Sequence, residues 1–125
     1  MSVLIDSSIW IDYFRSGKLS KELDFFIDEN QIVINKLILS ELIPFLVIKK
    51  QTKLITLLYS VEIIPLNINW ENIIELQIKC LRSGINKVGI SDLIITQNAI
   101  QNNLKVYSLD KHFTLISQIT NLNLI

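Results

Sequence analysis

The sequence predicts an α/β layered domain: a largely parallel central sheet of four to five strands flanked by helices. Three observations carry this. Short apolar runs rich in β-branched residues alternate with segments whose apolar residues recur at helical spacing. Those runs are apolar throughout, as strands buried on both faces of a parallel sheet must be. The 125 residues contain no linker, repeat or low-complexity tract, so residues 1–125 are expected to form one domain.

Ser2 to Ile5 is the first expected strand and stops at Asp6. Ser7 or Ser8 can cap a helix over Ile9 to Phe14, because a short hydroxyl accepts from a free first-turn amide, and Gly17 closes it. Leu19, Leu23, Phe26 and Ile27 then place a helix over Leu19 to Glu29, and Gln31 to Ile34 reads as the second strand. Asn35 can cap the next helix, along which Leu37, Ile38, Leu42, Phe45 and Leu46 recur. Pro44 removes the amide that would bond Ser40, so that helix is expected to kink or restart past Glu41.

Lys49, Lys50 and Lys53 form a basic turn before the helical Leu54, Leu57 and Leu58, and Val61 to Ile64 is a third strand ended by Pro65. Asn69 caps a longer helix through Trp70, Ile73, Leu76, Ile78, Cys80 and Leu81, closed by Gly84, with Trp70 read as a packing residue. After a connector through Lys87 and Gly89, Ser91 is expected to cap a helix over Asp92 to Asn102. Leu104 to Tyr107 is the fourth strand, His112 to Ile116 a turn or short helix, and Leu122 to Leu124 a last strand.

Composition narrows the function classes. With 12 basic and 12 acidic residues there is no global positive field, so any nucleic-acid contact must be local. Only Arg15 and Arg82 are guanidiniums, which makes bidentate phosphate forks scarce. The single Cys80 reads as a small buried hydrophobe. The N-terminus has no basic leader and carries Asp6 in its first apolar run, so a cytoplasmic protein is expected. The greasy stretch Ile32 to Ile48 is broken by Asn35, Lys36, Ser40, Glu41 and Pro44, well short of the roughly 20 apolar residues that span a bilayer. A mean hydropathy of +0.40 leaves more apolar surface than one small core covers, so a partner chain or homodimer is expected.

Four acids stand where apolar segments end or bend: Asp6, Glu41, Asp92 and Asp110. If the first and fourth strands are neighbours, Asp6 and Asp110 emerge together at the carboxyl edge of the sheet, where parallel sheets bind ligands. Asp92 opens a helix and Glu41 lies on the helix after the second strand, so all four can face one crevice. Glu41 has Leu37, Ile38, Pro44 and Phe45 as helical neighbours, a setting that would raise its pKa. Crowded carboxylates repel unless a cation lies among them, and an oxygen-only shell favours Mg²⁺ or Mn²⁺. The chemistry such a site performs is phosphodiester hydrolysis by an activated water. No phosphate loop, zinc spacing or Ser-His-Asp arrangement competes, since His112 is the only histidine.

The segments Asp6-Ser-Ser-Ile-Trp10-Ile, Leu-Ser-Glu41-Leu, Ser-Asp92-Leu-Ile-Ile with Ala99, and Val-Tyr-Ser108-Leu-Asp110-Lys-His112-Phe113 resemble the PIN domain, specifically the small VapC-type toxins of toxin–antitoxin pairs. The likeness covers essentially the whole chain. It implies a Mg²⁺- or Mn²⁺-dependent endoribonuclease carried by Asp6, Glu41, Asp92 and Asp110. Asp6 and Asp92 would be direct or water-mediated metal ligands, with Glu41 and Asp110 completing the shell or orienting the water. Ser8 and Ser108 match positions where the family has small hydroxyl residues near the metal.

On this reading Ser8, Arg15, Lys87 and Lys111 are the substrate-binding candidates, and His112 is expected to order its turn rather than to act as a general acid. The partners implied are RNA, an antitoxin lying in the groove of the greasy helices, and a second copy of the chain. Two other classes are weighed. A PIN fold that binds without cleaving would be expected to lack some of the acids. A receiver-type signalling domain needs paired acids after the first strand, but Ser7 follows Asp6 here.

Overall fold

Residues 2–125 are described by a computed structural model in which strand β1 (Val3–Ile5) forms the centre of a sheet. Strands β2 (Ile32–Ile34) and β4 (Lys105–Tyr107) lie on either side of it, with Val3 opposite Ile32 and Ile5 opposite Tyr107. Outside them lie β3 (Glu62–Ile63), paired with β2, and β5 (Asn123–Leu124), paired with β4. All five strands are parallel, in the order β3-β2-β1-β4-β5. The order reverses at β1, so the chain winds outward in both directions and leaves its crevice at the carboxyl end of the central strand.

Seven helices among the described residues cover the sheet: α1 (Ser7–Arg15), α2 (Leu23–Asp28), α3 (Lys36–Ile48), α4 (Thr52–Ser60), α5 (Trp70–Arg82), α6 (Ile90–Gln101) and α7 (Lys111–Ser117). The core forms where they meet β1, whose three residues are wholly buried, together with Ile9, Trp10, Ile38, Leu93, Ile95 and Phe113. None of these helices is long and apolar enough to cross a membrane. Cys80 is buried, as expected of a small hydrophobe.

The departures from the sequence reading are local and have physical causes. Asp6 itself, not Ser7 or Ser8, caps α1, accepting from the Ser8 amide at 3.4 Å. The second helix starts at Leu23 because Asp12 Oδ2 captures the Leu19 amide at 3.0 Å and the Ser20 hydroxyl at 2.7 Å, holding those residues in a turn.

Pro44 neither stops nor restarts α3, which runs on to Ile48. Ser40 is exposed there, so its freed carbonyl can meet water. The sixth helix begins at Ile90 with Gly89 as cap, which puts Ser91 and Asp92 inside the first turn. Trp70 does not pack: it is 57% exposed.

Candidate active site

Asp6 follows directly from β1, and its backbone amide bonds the Tyr107 carbonyl at 3.0 Å, tying the ends of β1 and β4 together. Its buried side chain is held by Oδ2, which accepts from the Ser8 and Ser108 hydroxyls, both at 2.8 Å. Those two hydroxyls are 3.2 Å apart. Ser8 Oγ also accepts from the Leu109 amide and Ser108 Oγ from the Asp110 amide, each at 2.9 Å. The serines therefore join the start of α1 to the turn after β4 and orient one carboxylate. Asp6 Oδ1 takes no hydrogen bond from the described residues and is left for a ligand.

Asp110 caps α7, its Oδ1 accepting from the His112 amide at 2.9 Å. Asp92, in the first turn of α6, is half-buried. Ligand atoms of Asp92, Asp110 and His112 all lie within 4.8 Å of one another. His112 Nδ1 is 3.4 Å from Asp110 Oδ1 and 3.6 Å from Asp92 Oδ2.

Burial pushes the Asp92 carboxyl above its ordinary range, and the negative charges of Asp110 and Asp6 push it further, against a smaller opposing pull from His112. The Glu41 carboxyl is also raised, first by partial desolvation and then by Asp6 and Asp92. Glu41 is nevertheless more open to water than its apolar neighbours in sequence imply.

Among the described residues the group close enough to share one ion is Asp92, Asp110 and His112, while Asp6 and Glu41 lie outside it and act on Asp92 or on each other through longer-range charge. Among the described residues no lysine or arginine comes within 4 Å of any of the four acids, and His112 is their only nearby base. Donors that are carboxylate oxygens apart from the one imidazole of His112, mutual repulsion and an Asp6 oxygen without a hydrogen bond together fit a hard divalent cation.

The predicted substrate-binding residues fall differently. Ser8 is committed to Asp6, Ser108 and Leu109. Arg15 is exposed and shares a groove of about 590 Å³ with Glu41, Phe14, Phe45, Lys49 and Leu54, formed by α1, α3 and the start of α4. Lys87 is exposed on the connector before α6 with φ of 66°, and Lys111 is exposed beside Asp110. A second hollow, of about 330 Å³, lies among α5, α6 and the turn after α7 and contains none of the four acids.

Sequence reasoning foresaw Asn35 as the cap of α3 but missed the side-chain bonds through which it fixes the frame of the site. Asn35 caps α3 by accepting from the Ile38 amide, and its Nδ2 donates to Asn98 Oδ1, both at 2.9 Å. Asn98 in turn donates to the Pro65 carbonyl at 3.1 Å. This buried chain links α3, which carries Glu41, to α6, which carries Asp92. Thr96 Oγ1 donates to the Asp92 carbonyl at 2.8 Å. The available signal was the polar run Thr96-Gln97-Asn98 inside an apolar helix, where polar side chains must find partners.

A sequence profile of the PIN domain matches residues 3–118. Among solved structures the chain is similar to VapBC2 from Rickettsia felis bound to a DNA fragment from their promoter, with TM-score 0.78, 23% identity and coverage of 100% of this chain and 98% of that one. It is similar to DNA-bound VapBC from Salmonella typhimurium, with TM-score 0.78, 15% identity and coverage of 100% and 97%. VapBC-1 from nontypeable Haemophilus influenzae gives TM-score 0.75, 18% identity and the same coverage, 100% and 97%. At these identities the likeness shows the fold. No curated protein sequence matches the chain closely.

Proposed function

Because the chain belongs to the PIN domain family, we propose that it is a Mg²⁺- or Mn²⁺-dependent endoribonuclease, the toxin of a VapC-type toxin–antitoxin pair, acting as one unit over residues 1–125. The observation that carries this reading is the mutual charge of Asp6, Glu41, Asp92 and Asp110 around the close group of Asp92, Asp110 and His112, with His112 the one basic side chain within 4 Å of them among the described residues. The VapBC complexes that share the fold support the toxin reading.

Asp6 and Asp92 would hold the cation, with Glu41 and Asp110 completing its shell. When bound, Mg²⁺ or Mn²⁺ supplies positive charge for the attacking and leaving oxygens of a phosphodiester and makes a water more acidic. The chain's own work is positioning. Ser8 and Ser108 hold Asp6 through Oδ2, so Ser8 acts through Asp6 rather than on RNA. His112 steadies Asp92 and Asp110 and orders the turn before α7. Arg15, Lys87 and Lys111 are free to meet phosphates from three separate elements.

The groove beside Glu41, walled by Ile11, Phe14, Leu42, Phe45 and Leu46, suits an amphipathic antitoxin segment. A second copy of the chain is proposed as a further partner, and the cytoplasm as the location. A binding module that does not cleave is disfavoured because no acid of the set is missing. A receiver domain is excluded by family.

The reading is tested by incubating purified protein with structured RNA, with and without Mg²⁺ or Mn²⁺. The wild type is expected to cut only with the cation, and Asp6→Asn to lose about a hundredfold or more of that rate. Equal activity in the two proteins overturns the assignment.

A further inference from the structure

The imidazole of His112 is not needed to order the turn before α7. The backbone does that work: the His112 amide donates to Asp110 Oδ1 at 2.9 Å, and the buried Phe113 beside it anchors α7 in the core. The ring itself is partly exposed, and its Nδ1 stands 3.4 Å from Asp110 Oδ1 and 3.6 Å from Asp92 Oδ2. It lies at ion-pair distance from both carboxylates and is hydrogen-bonded to neither.

A nitrogen between two carboxylate oxygens at these separations is suited to a shared cation. Two ligands about 2.1–2.2 Å from one metal stand about 3 Å apart at a right angle and about 3.5 Å apart at a tetrahedral one. The two separations here lie at the upper end of that range, and one ligand atom from each of Asp92, Asp110 and His112 falls within 4.8 Å of the others. The donor set is therefore mixed: oxygen from two acids and one nitrogen.

We propose that His112 is a metal ligand through Nδ1, beside Asp92 and Asp110, and that this one nitrogen makes the site select Mn²⁺ over Mg²⁺. Mg²⁺ demands near-ideal octahedral oxygen ligands and gives up its waters reluctantly, whereas a first-row transition ion accepts imidazole readily. Carboxylates alone suit both ions, so the nitrogen is the element of the site that tells them apart. A neutral ring adds to the cation's shell, while an imidazolium would compete with the cation for the same two acids. The inference rests on the reading that Asp92 and Asp110 hold a divalent cation and adds to it the choice of ion.

His112 is the only histidine, so ¹⁵N-labelled histidine marks a single side chain. Pulsed electron paramagnetic resonance of the full chain with Mn²⁺, together with isothermal titration of Mn²⁺ and of Mg²⁺, tests the proposal. The Mn²⁺ signal is expected to carry a nitrogen modulation whose frequency changes on labelling, and Mn²⁺ to bind at least about tenfold more tightly than Mg²⁺. His112→Gln should abolish that modulation, weaken Mn²⁺ about tenfold or more and leave Mg²⁺ within about twofold, with the circular dichroism unchanged. His112→Asp returns a ligand, but an oxygen one, and should recover Mn²⁺ binding without recovering the preference over Mg²⁺. Mn²⁺ bound with no label-sensitive modulation overturns the inference while the carboxylate reading stands. Equal loss of both ions in His112→Gln also overturns it, because the ring then only positions the acids, and so does a gain of both, which marks a competing imidazolium. A wild type that binds no Mn²⁺ overturns the inference together with the reading beneath it.

Discussion

Two serines decide what Asp6 can do. By occupying Oδ2 they fix the carboxylate's orientation and leave Oδ1 to a ligand. Ser108→Ala removes one of these bonds while the capping bond from the Ser8 amide remains, so we expect cleavage to fall about tenfold with little loss of folding; a rate unchanged from wild type would remove Ser108 from the account.

Asp92 carries a second prediction. Its carboxyl titrates above the ordinary range in the fold, so its ionisation is harder in the folded chain than in the unfolded one. Its contribution to stability is therefore full at pH below the ordinary carboxylate range and is lost as pH rises through the raised value. In metal-free protein at neutral pH, Asp92→Asn should raise the melting temperature by about 2–5 °C, with the gain disappearing on acidification. Thermal scans of the two proteins across pH measure that difference directly. At this scale the four acids could be singled out in the sequence because each stands at an abrupt end or bend of an apolar run. It misjudged Trp70 because helical spacing shows a stripe but not which side of it meets the core.

Among elements, α3 and α6 matter most, since they carry Glu41 and Asp92 and are joined by the buried Asn35–Asn98 bond. Asn98→Leu strands the Asn35 amide group and the Pro65 carbonyl, and we expect it to cost about 2 kcal/mol of stability in urea unfolding and to weaken metal binding as the helices lose register. A stability within experimental error of wild type would show that water replaces these bonds.

Helix positions were legible from apolar periodicity, but their ends were less so. Gly17 and Gly84 announced left-handed closures, whereas Asn30, Lys50 and Asn103 adopt the same conformation without a glycine to announce it. Pro44 was read as a kink or restart because local sterics penalise it; the helix does not restart, and the buried Leu42 and Leu46 on either side hold it through.

For the molecule as a whole, the parallel sheet with β1 at its centre turns scattered sequence positions into neighbours: Asp6 and Asp110 come from the ends of adjacent strands, and the helices after β2 and before β4 bring Glu41 and Asp92. The alternation of runs and helices made this architecture readable, while the strand order is a long-range outcome that no local pattern encodes. The excess of apolar residues was also readable, and part of it lines the groove beside Glu41 while part lies exposed on the outer face of α5 and elsewhere on the surface.

The central claim is that these four carboxylates converge to hold a divalent cation. Isothermal titration of the metal-free protein with Mn²⁺ tests it most directly. Wild type is expected to bind with affinity lost by at least about tenfold in both Asp6→Asn and Asp92→Asn. Binding that is absent from wild type, or undiminished in both variants, would contradict it.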